Sequence, residues 1–479
     1  MSSHRHATRF ALLIGFGACV ACGGVNAVTG RAFAADSVAV SGAASGAAGA
    51  TALTLAASAT DDFGPTSDRP WNPPRPVSRR RTWEHVLTFP GRVISLPLSG
   101  LGILTEKALY KAEETALIPK ANYVATVVPQ RTGISVMPAE LGDRTGFGAK
   151  FGISTPFLKG NWRNFINGEI SGSTRGYNRT RIRVGGDPFS LEYAYDWRPQ
   201  EQFFGVGIDT GDDSVSSYAA QQEYVRAMIG FRWNERPEFQ DFRTHLEGWA
   251  GPRARIMRKG HESGRPSFEE YYPAVALPTL DEHLEYFIVG GSFETDWRVG
   301  TPHWSRGWRF FIQGEHYGDP PTWLSIRDAR GRGSTFTRWG AEVETGFSFM
   351  RDPRTLRIMT RFVDQIVEEG AEKFVIADMV KLGGAQGLWG FEPGRFHDID
   401  GFLVRVSYIF PLVRRFEMNL HAESGGVYPD VWEDLSLDSW EHSWGLYLRA
   451  RSASRPVASF GADFSREGIR IRYSVGDVD

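Results

Sequence analysis

The sequence predicts an all-β fold, a transmembrane antiparallel β-barrel of about 16 strands preceded by a short helical region and a disordered linker. Two observations lead to it. Long parts of the chain alternate apolar and polar residues with a period of two, which is typical of strands with one face in lipid and one in a polar lumen. The 479 residues also include 54 glycines and 13% aromatic residues. That composition suits strands that expose apolar side chains one at a time.

Residues 1–34 are predicted to be a secretory signal peptide. The apolar run Phe10–Val20 follows basic residues and precedes small residues that end at Ala34. Cleavage there would remove Cys19 and Cys22, the only cysteines in the chain. A mature chain without cysteine excludes disulfides, thiolate metal sites and cysteine nucleophiles. An acylated lipoprotein is the alternative, although neither cysteine follows the leucine that such signals usually carry.

Two segments separate the signal peptide from the barrel. Residues 35–81 are an Ala/Ser/Gly tract followed by several prolines, and they predict a disordered linker. Residues 82–143 carry apolar residues at helical spacing, including Leu101, Leu104 and Ala108, and predict one or two short helices. These helices would either cap or enter the barrel, or lie on the inner membrane surface.

Residues 144–479 are predicted to form the barrel. Phe402, Val404 and Val406 alternate with Arg405 and Ser407, and the same split recurs in later segments. A membrane strand needs about 9 to 11 residues plus a turn or loop, so the length of this region gives about 16 strands. A glycine-rich island from residue 382 to residue 398 interrupts the alternation and predicts a structured loop.

The sequence offers no enzymatic site. The serine in the segment 172–176 is misplaced for a G-x-S-x-G nucleophile elbow. The pairs His245/Glu247 and His283/Glu285 lack a visible third metal ligand. A net charge of −2 gives no reason to expect nucleic acid as a partner. We therefore expect a protein that is not an enzyme and binds no metal and no cofactor.

Several segments together resemble the barrel of the BamA/TamA-type superfamily, the bacterial surface-antigen outer-membrane proteins. Residues 388–391 match three of the four positions of the family's aliphatic-Arg-Gly-aromatic loop motif, and Glu423 stands in the acidic position of an aromatic-x-Asp-x-Gly segment. The other matching segments are Phe203–Thr210, Leu382–Gly384, Phe402–Leu412, Gly445 and Arg449. The chain lacks recognisable periplasmic POTRA domains and departs from the family at Trp389, where an arginine is usual.

The resemblance implies a loop that folds into the lumen and meets the barrel wall. The residues implied for the loop are Leu388, Trp389, Gly390, Phe391, Arg395 and Asp398. Those implied for the wall are His421, Glu423, Gly425 and Arg449. Because tryptophan cannot form the family's ion pair, either Arg395 replaces the missing arginine, or Trp389 and Phe391 stack on the wall and the loop serves as a plug.

The resemblance also implies a location in the outer membrane of a Gram-negative bacterium. One hypothesis is a monomeric barrel that contacts lipid and aids insertion or transport of a protein client or lipid at a weak seam between its first and last strands. The candidate seam residues are Phe147, Phe151, Ile469, Ile471 and Tyr473. The alternative hypothesis is a closed or plugged porin-like channel, or a structural outer-membrane barrel.

Overall fold

The computed structural model describes residues 132–475 with gaps. The gaps are residues 140–144, 146–147, 157–164, 212–214, 234–242, 261, 263, 272–279, 299–306, 322–330, 333–334, 349–353, 368–375, 385–386, 414–415 and 452–455. The predicted signal peptide and linker, most of the predicted helical segment, and Phe147 lie outside the described residues. All described residues belong to one of the chain's two units, Pro76–Asp479.

In the described part of the chain, sixteen strands pair antiparallel, each with the next in order along the sheet. They are β1 (Ile134–Ala139), β2 (Gly148–Pro156), β3 (Phe165–Ser173), β4 (Asn178–Gly185), β5 (Phe189–Phe203), β6 (Ser216–Trp233), β7 (Arg243–Lys259), β8 (His283–Asp296), β9 (Gly307–Gly318), β11 (Phe336–Ser348), β12 (Thr355–Val367), β15 (Asp400–Val413), β16 (Phe416–Tyr428), β17 (Glu441–Arg451), β18 (Pro456–Ser465) and β19 (Gly468–Val475). The short β10 (Gly331–Arg332) pairs in parallel with β8, which completes a 17-stranded sheet. The prediction of an antiparallel barrel of about 16 strands is confirmed.

The remaining elements are short and lie in loops. They are helix α1 (Phe268–Tyr271), helix α2 (Val431–Asp434), the 3₁₀ turns η1 (Ile376–Asp378) and η2 (Leu437–Ser439), and a two-stranded sheet of β13 (Val380–Leu382) and β14 (Phe396–Asp398). No helix among the described residues is both long enough and apolar enough to cross a membrane.

The first strand differs from the prediction. The strand expected around residues 147–153 is β2, and β1 pairs along it, with Val136 opposite Phe151. This six-residue strand ends in Met137, Pro138 and Ala139, so its period of two is too short to read from sequence. The first strand of the described sheet is therefore β1, where the sequence suggested β2.

The two faces of the sheet differ in chemistry. On the inward face, Glu342 lies between Arg309 (Nη1 to Oε1, 2.9 Å) and Arg361 (Nη2 to Oε2, 2.8 Å). The outward face exposes large apolar side chains on most strands, as lipid contact requires, because hydrocarbon offers no partner to polar groups. These exposed residues include Val136, Phe151, Ile170, Phe189, Leu191, Val289, Phe460, Ile469, Ile471 and Tyr473.

The two ends of the barrel also differ. The connections 186–188 and 414–415 are short, whereas the connections at the other end include residues 204–215, 260–282, 368–399 and 429–440. We call these the short-turn end and the long-loop end. Aromatic pairs mark both ends of the outward face, with Trp297 on Trp308 at the short-turn end and Trp444 on Phe464 at the long-loop end, each with ring centroids 4.2 Å apart. Such aromatic girdles are typical of the two membrane interfaces.

Candidate functional site: a loop folded into the barrel mouth

The long loop between β12 and β15 folds into the barrel. We call residues 376–399 the plug loop. Its apolar core consists of fully buried side chains that pack on inward-facing residues of the wall. The cluster contains Leu382, Leu388, Phe391 and Phe396 of the loop with Met359, Leu403 and Val427 of the strands.

Local backbone geometry shapes the tip of the plug loop. The β13–β14 pairing places Leu382 opposite Phe396, and the Gly383 N–H donates to the Gly387 carbonyl at 2.8 Å. Leu388 has a φ of 56°, a left-handed conformation that a non-glycine residue adopts at a cost of about 1 to 2 kcal/mol. Complete burial of its side chain offsets that cost.

Glu423 receives the backbone of the plug tip. Its Oε2 accepts hydrogen bonds from the Trp389 N–H and from Ser443 Oγ (3.0 Å), while its Oε1 accepts one from Arg405 Nε at 2.6 Å. The carboxylate is buried, and a buried carboxylate needs such partners to be tolerated. The cation that pairs with Glu423 is therefore an arginine of the wall strand β15.

Two wall arginines lie over the Trp389 indole. The guanidinium carbon of Arg405 is 3.9 Å from the ring centroid and that of Arg472 is 5.2 Å away. His421 and Tyr447 meet the same ring edge-on, with centroids 4.8 Å and 5.4 Å away. Cations over an indole face are held by its quadrupole. The cations thus come from the wall, whereas the resemblance implies an arginine on the loop.

Behind Trp389, His421 and Asp463 meet across strand β17. His421 Nε2 lies 2.9 Å from Asp463 Oδ1, and the Tyr447 hydroxyl donates to Asp463 Oδ2. The intervening position is Gly445, where a Cβ would lie 2.2 Å from Asp463 Oδ1 and 2.6 Å from His421 Cε1. Only glycine leaves room for this contact, which gives a physical reason for Gly445 on an inward face.

Gly390 is held in a similarly tight place. Its carbonyl accepts a hydrogen bond from Ser465 Oγ at 2.7 Å, and a Cβ would lie 2.8 Å from the Phe464 carbonyl oxygen.

Two predicted wall residues lie on either side of the region where Glu423 contacts the plug tip. Gly425 is two residues beyond Glu423 on β16, and Arg449 is farther toward the short-turn end, beside Glu417 in the strand register.

Arg395 lies at a different part of the wall from Glu423. Its guanidinium donates to Glu467 in the β18–β19 turn, and to the side-chain and backbone oxygens of Thr210 in the β5–β6 loop. It also stacks on Phe204, with its guanidinium carbon 4.9 Å from the ring centroid. Arg395 therefore ties the plug loop to two wall connections, and Arg405 is the cation beside Glu423.

The other side of the plug loop is attached to the opposite wall. Asp378 pairs with Arg255 of β7 and accepts a hydrogen bond from the Tyr286 hydroxyl at 3.2 Å, while Arg338 donates to its carbonyl. Lys381 Nζ donates to the Tyr218 hydroxyl at 2.6 Å. Contacts on β6, β7, β8 and β11 on one side, and on β15 to β19 on the other, hold the loop across the mouth.

His397 and Asp398 lie in the part of the plug loop that leads back to the wall. The His397 carbonyl accepts from the Gly207 N–H at 2.8 Å, and its ring meets Phe203 edge-on at 5.1 Å. Among the described residues neither ring nitrogen has a hydrogen-bond partner. Burial, with nearby Lys381, holds the pKa of His397 well below its usual value. Burial also raises the pKa of Asp398, although its Oδ1 accepts from the Ile399 N–H at 2.8 Å.

The predicted seam residues lie on the outward face. Phe151 of β2 and Ile469, Ile471 and Tyr473 of β19 are all exposed. The inward neighbours on β19 are Arg470 and Arg472, which reach the plug loop.

Sequence reasoning did not identify Arg405, Asp378 and Arg255 as partners of the loop. Arg405 and the arginines of β19 stand at alternating inward positions, so the period of two already placed them in the lumen. Asp378 is a single acid in an apolar stretch, a pattern typical of a buried carboxylate that has hydrogen-bond or ionic partners. Its partner lies 123 residues away in the chain, and no local pattern indicates such a pairing.

No family model matches this chain, and no curated protein sequence matches it. Among solved structures, the chain is similar to BamA from Haemophilus ducreyi lacking POTRA domains 1–3, with a TM-score of 0.46 and 12% identity over 74% of this chain and 78% of that chain. It is also similar to CdiB from Escherichia coli (TM-score 0.43, 12% identity, 71% of this chain and 61% of that chain). CdiB from Acinetobacter baumannii gives a TM-score of 0.38 and 12% identity over 72% of this chain and 62% of that chain. The chain thus spans less than two thirds of either CdiB chain. All three TM-scores lie below 0.5, and the barrel assignment rests on the strand pairing and the two faces of the sheet.

Proposed function

We propose that this chain is an outer-membrane β-barrel, without enzymatic activity, that aids the insertion or transport of protein or lipid at the seam between β1 and β19. The lipid-facing belt and the two aromatic girdles support a membrane location. The difference between short turns and long loops supports an outer-membrane orientation with the long-loop end outside the cell.

One observation carries the proposal: the plug loop holds the last strand of the barrel. Arg470 Nη1 lies 2.6 Å from Glu392 Oε2, and Arg472 stacks on Trp389. The turn that leads into β19 is tied through Glu467 to Arg395. Moving β19 away from the barrel must break these contacts. These contacts support a barrel whose lateral opening at the seam is controlled by the plug loop.

The charged lumen favours the second candidate, a plugged channel. Glu344 lies between Arg298 (Nη1 to Oε1, 2.7 Å) and Arg357 (Nε to Oε1, 3.1 Å), and the ladder continues through Arg309 and Glu342. Such a lining would pass polar solutes once the plug loop moved. In this alternative, the contacts across the mouth serve to keep the channel shut.

Locking the seam tests the first candidate. Cysteines replace Ser135 on β1 and Ser474 on β19, with neighbouring inward positions scanned for register, and Cys19→Ser and Cys22→Ser remove the native thiols. The purified protein is placed in vesicles, where folding of an unfolded barrel client and movement of lipid between leaflets are measured. Oxidation should abolish whichever of these two activities the protein shows, and reduction should restore that activity.

The matched control is a lock between two strands that are already paired. Ser459 and Ser474 are register partners on β18 and β19, with their hydroxyl oxygens 2.8 Å apart, so a disulfide there leaves the seam free. Activity that survives the seam lock as well as the control lock contradicts lateral opening. A steady conductance in planar bilayers that rises on deletion of residues 382–398 then supports the plugged channel.

A further inference from the structure

The loop between β16 and β17 folds outward, over the lipid-facing side of the wall. We call residues 429–440 the rim flap; it contains α2 and η2. Trp432 meets Phe362 edge-on, with centroids 5.2 Å apart, and Trp440 lies 5.3 Å from Phe402. Phe362 and Phe402 belong to the outward faces of β12 and β15. The rim flap therefore covers part of the outer wall at the long-loop end, whereas the plug loop covers the mouth.

The rim flap is fixed to the wall by buried carboxylates. Asp364 is an outward-facing residue of β12, and its Oδ2 accepts hydrogen bonds from the indole N–H groups of Trp339 (2.7 Å) and Trp432 (3.3 Å). Asp400 accepts from the backbone N–H of Val431 at 2.9 Å. A carboxylate exposed to hydrocarbon would be costly. The rim flap supplies a donor to Asp364 and separates it from lipid.

Between Trp432 and Trp440, which pack on the outward face, the rim flap carries two exposed leucines. Leu435 and Leu437 are 50% and 70% exposed. Trp444, on the outward face of the next strand β17, is 56% exposed and stacked on Phe464. The acidic residues of the rim flap, Glu433, Asp434 and Asp438, are also exposed. Exposed apolar and acidic side chains thus share one short segment at the long-loop end.

We propose that the rim flap is an interfacial anchor that inserts Leu435 and Leu437 into the outer leaflet, at the boundary between headgroups and acyl chains. The occupant of this surface is lipid, because Trp432 and Trp440, on either side of the two leucines in the chain, pack on Phe362 and Phe402 of the lipid-facing wall. A specific protein partner would need about 800 Å² on each side, far more than two leucines provide. Insertion is favoured because it removes the apolar surface of both leucine side chains from water.

This arrangement makes the rim flap a lipid contact distinct from the seam, and the inference rests on the membrane location in the proposed function but not on opening of the seam. The three acidic side chains would stay in water, above the leucines. Repulsion from anionic headgroups should make the insertion deeper in zwitterionic than in anionic membranes.

Site-specific quenching tests the anchor. A single cysteine replaces Leu437 in the chain without Cys19 and Cys22, and it is labelled with a small fluorophore. The protein is reconstituted in phosphatidylcholine vesicles that contain lipids with a nitroxide near the headgroup. Glu433→Cys serves as the aqueous control on the same rim flap, and Val406→Cys serves as the lipid-facing control on β15. The label at residue 437 should be quenched by the nitroxide lipid nearly as strongly as that at residue 406. It should be several-fold less sensitive to aqueous iodide than the label at residue 433.

The same labels show what would overturn the proposal. Equal iodide quenching at residues 437 and 433, without nitroxide quenching at 437, means that the rim flap stands in water. Protection from iodide without nitroxide quenching, together with cross-linking between copies through residue 437, means that a second copy covers the leucines. Leu435→Ser in the Leu437→Cys chain should reduce nitroxide quenching of the label at residue 437. The gel migration of the unheated, folded barrel should stay unchanged. Unaltered quenching in that variant also contradicts insertion of the leucine pair.

Discussion

The guanidinium of Arg405 stacks on the indole of Trp389 while its Nε donates to Glu423, so one wall arginine holds both the ring and, through the carboxylate, the backbone of the plug tip. The plug tip needs no charge of its own in this arrangement. Trp389 therefore contributes directly to the attachment of the plug loop to the barrel wall.

Trp389→Arg, which restores the residue usual in the resembling family, should loosen the plug loop. A third guanidinium would stand beside Arg405 and Arg472 and lose cation–π contacts worth about 0.5 to 2 kcal/mol each. The rate at which a protease cuts the plug loop in the folded protein should rise several-fold. Trp389→Phe keeps an aromatic face and should stay close to wild type. Equal protection of the arginine variant and the wild type would show that this contact does not hold the plug.

Gly390→Ala should destabilise the loop through overpacking. The new methyl would press against the Phe464 carbonyl and Ser443 Cβ, at 2.8 Å and 2.9 Å, and overpacking of this kind costs about 1 to 3 kcal/mol. The temperature at which the barrel loses its folded migration in gels is the measurement, and it should fall. Gly172→Ala on β3 is the matched control, because no heavy atom lies within 4 Å of the position that its new methyl would take. A similar shift in both variants would argue against tight packing at residue 390.

The Asp378–Arg255 pair should show strong coupling in a double-mutant cycle. Removing one partner leaves a buried charge without its counterion, at about 3 to 5 kcal/mol. Asp378→Ala and Arg255→Met should each lower the free energy of unfolding in urea by that order. The loss of unfolding free energy in the double variant should be clearly smaller than the sum of the losses in the two single variants. Additive effects would indicate that the pair contributes no specific energy to the attachment of the plug loop.

His397 should make the plug loop less stable in acid. Its pKa in the folded protein lies below the value of about 6.5 expected for the unfolded chain. The unfolded state therefore binds the proton first, and stability falls as the pH drops from about 6.5 toward the folded pKa. His397→Phe retains the edge-on contact with Phe203 and removes the proton site. The difference in melting temperature between variant and wild type should grow as the pH is lowered below about 6.5. A difference that does not change with pH would show that His397 does not titrate in this range.

The features of this fold that produce a local pattern in the sequence could be predicted. Alternation at Phe402–Phe410 and again along β16 predicted both the strands and their inward faces, and the length of the alternating region predicted the number of strands. The glycine-rich island predicted the plug loop. Contacts across the barrel leave no such pattern: Arg405 meets Trp389 because β15 borders the loop, and Arg255 meets Asp378 because the loop crosses the mouth.

The rim flap was not predicted for a similar reason. Tryptophan, leucine and acidic residues in a short connection are common in exposed loops, and the sequence does not say whether the connection lies over the mouth or over the wall. The direction is decided by Asp364 and Asp400, two outward-facing acids on other strands that need donors. Strand β1 was missed because its alternation is short and includes a proline.

The attachment of the plug loop to residues 465–472 has a consequence for the order in which the barrel forms. The loop is made before β15, but Gly390 and Arg395 bind residues 75 and 72 positions later in the chain. These two contacts form only once the last hairpin, β18–β19, is in place. A chain that lacks this hairpin therefore keeps the contacts of the plug loop with Arg255, Arg405 and Glu423, but the plug loop has no attachment on the side where the barrel is completed last.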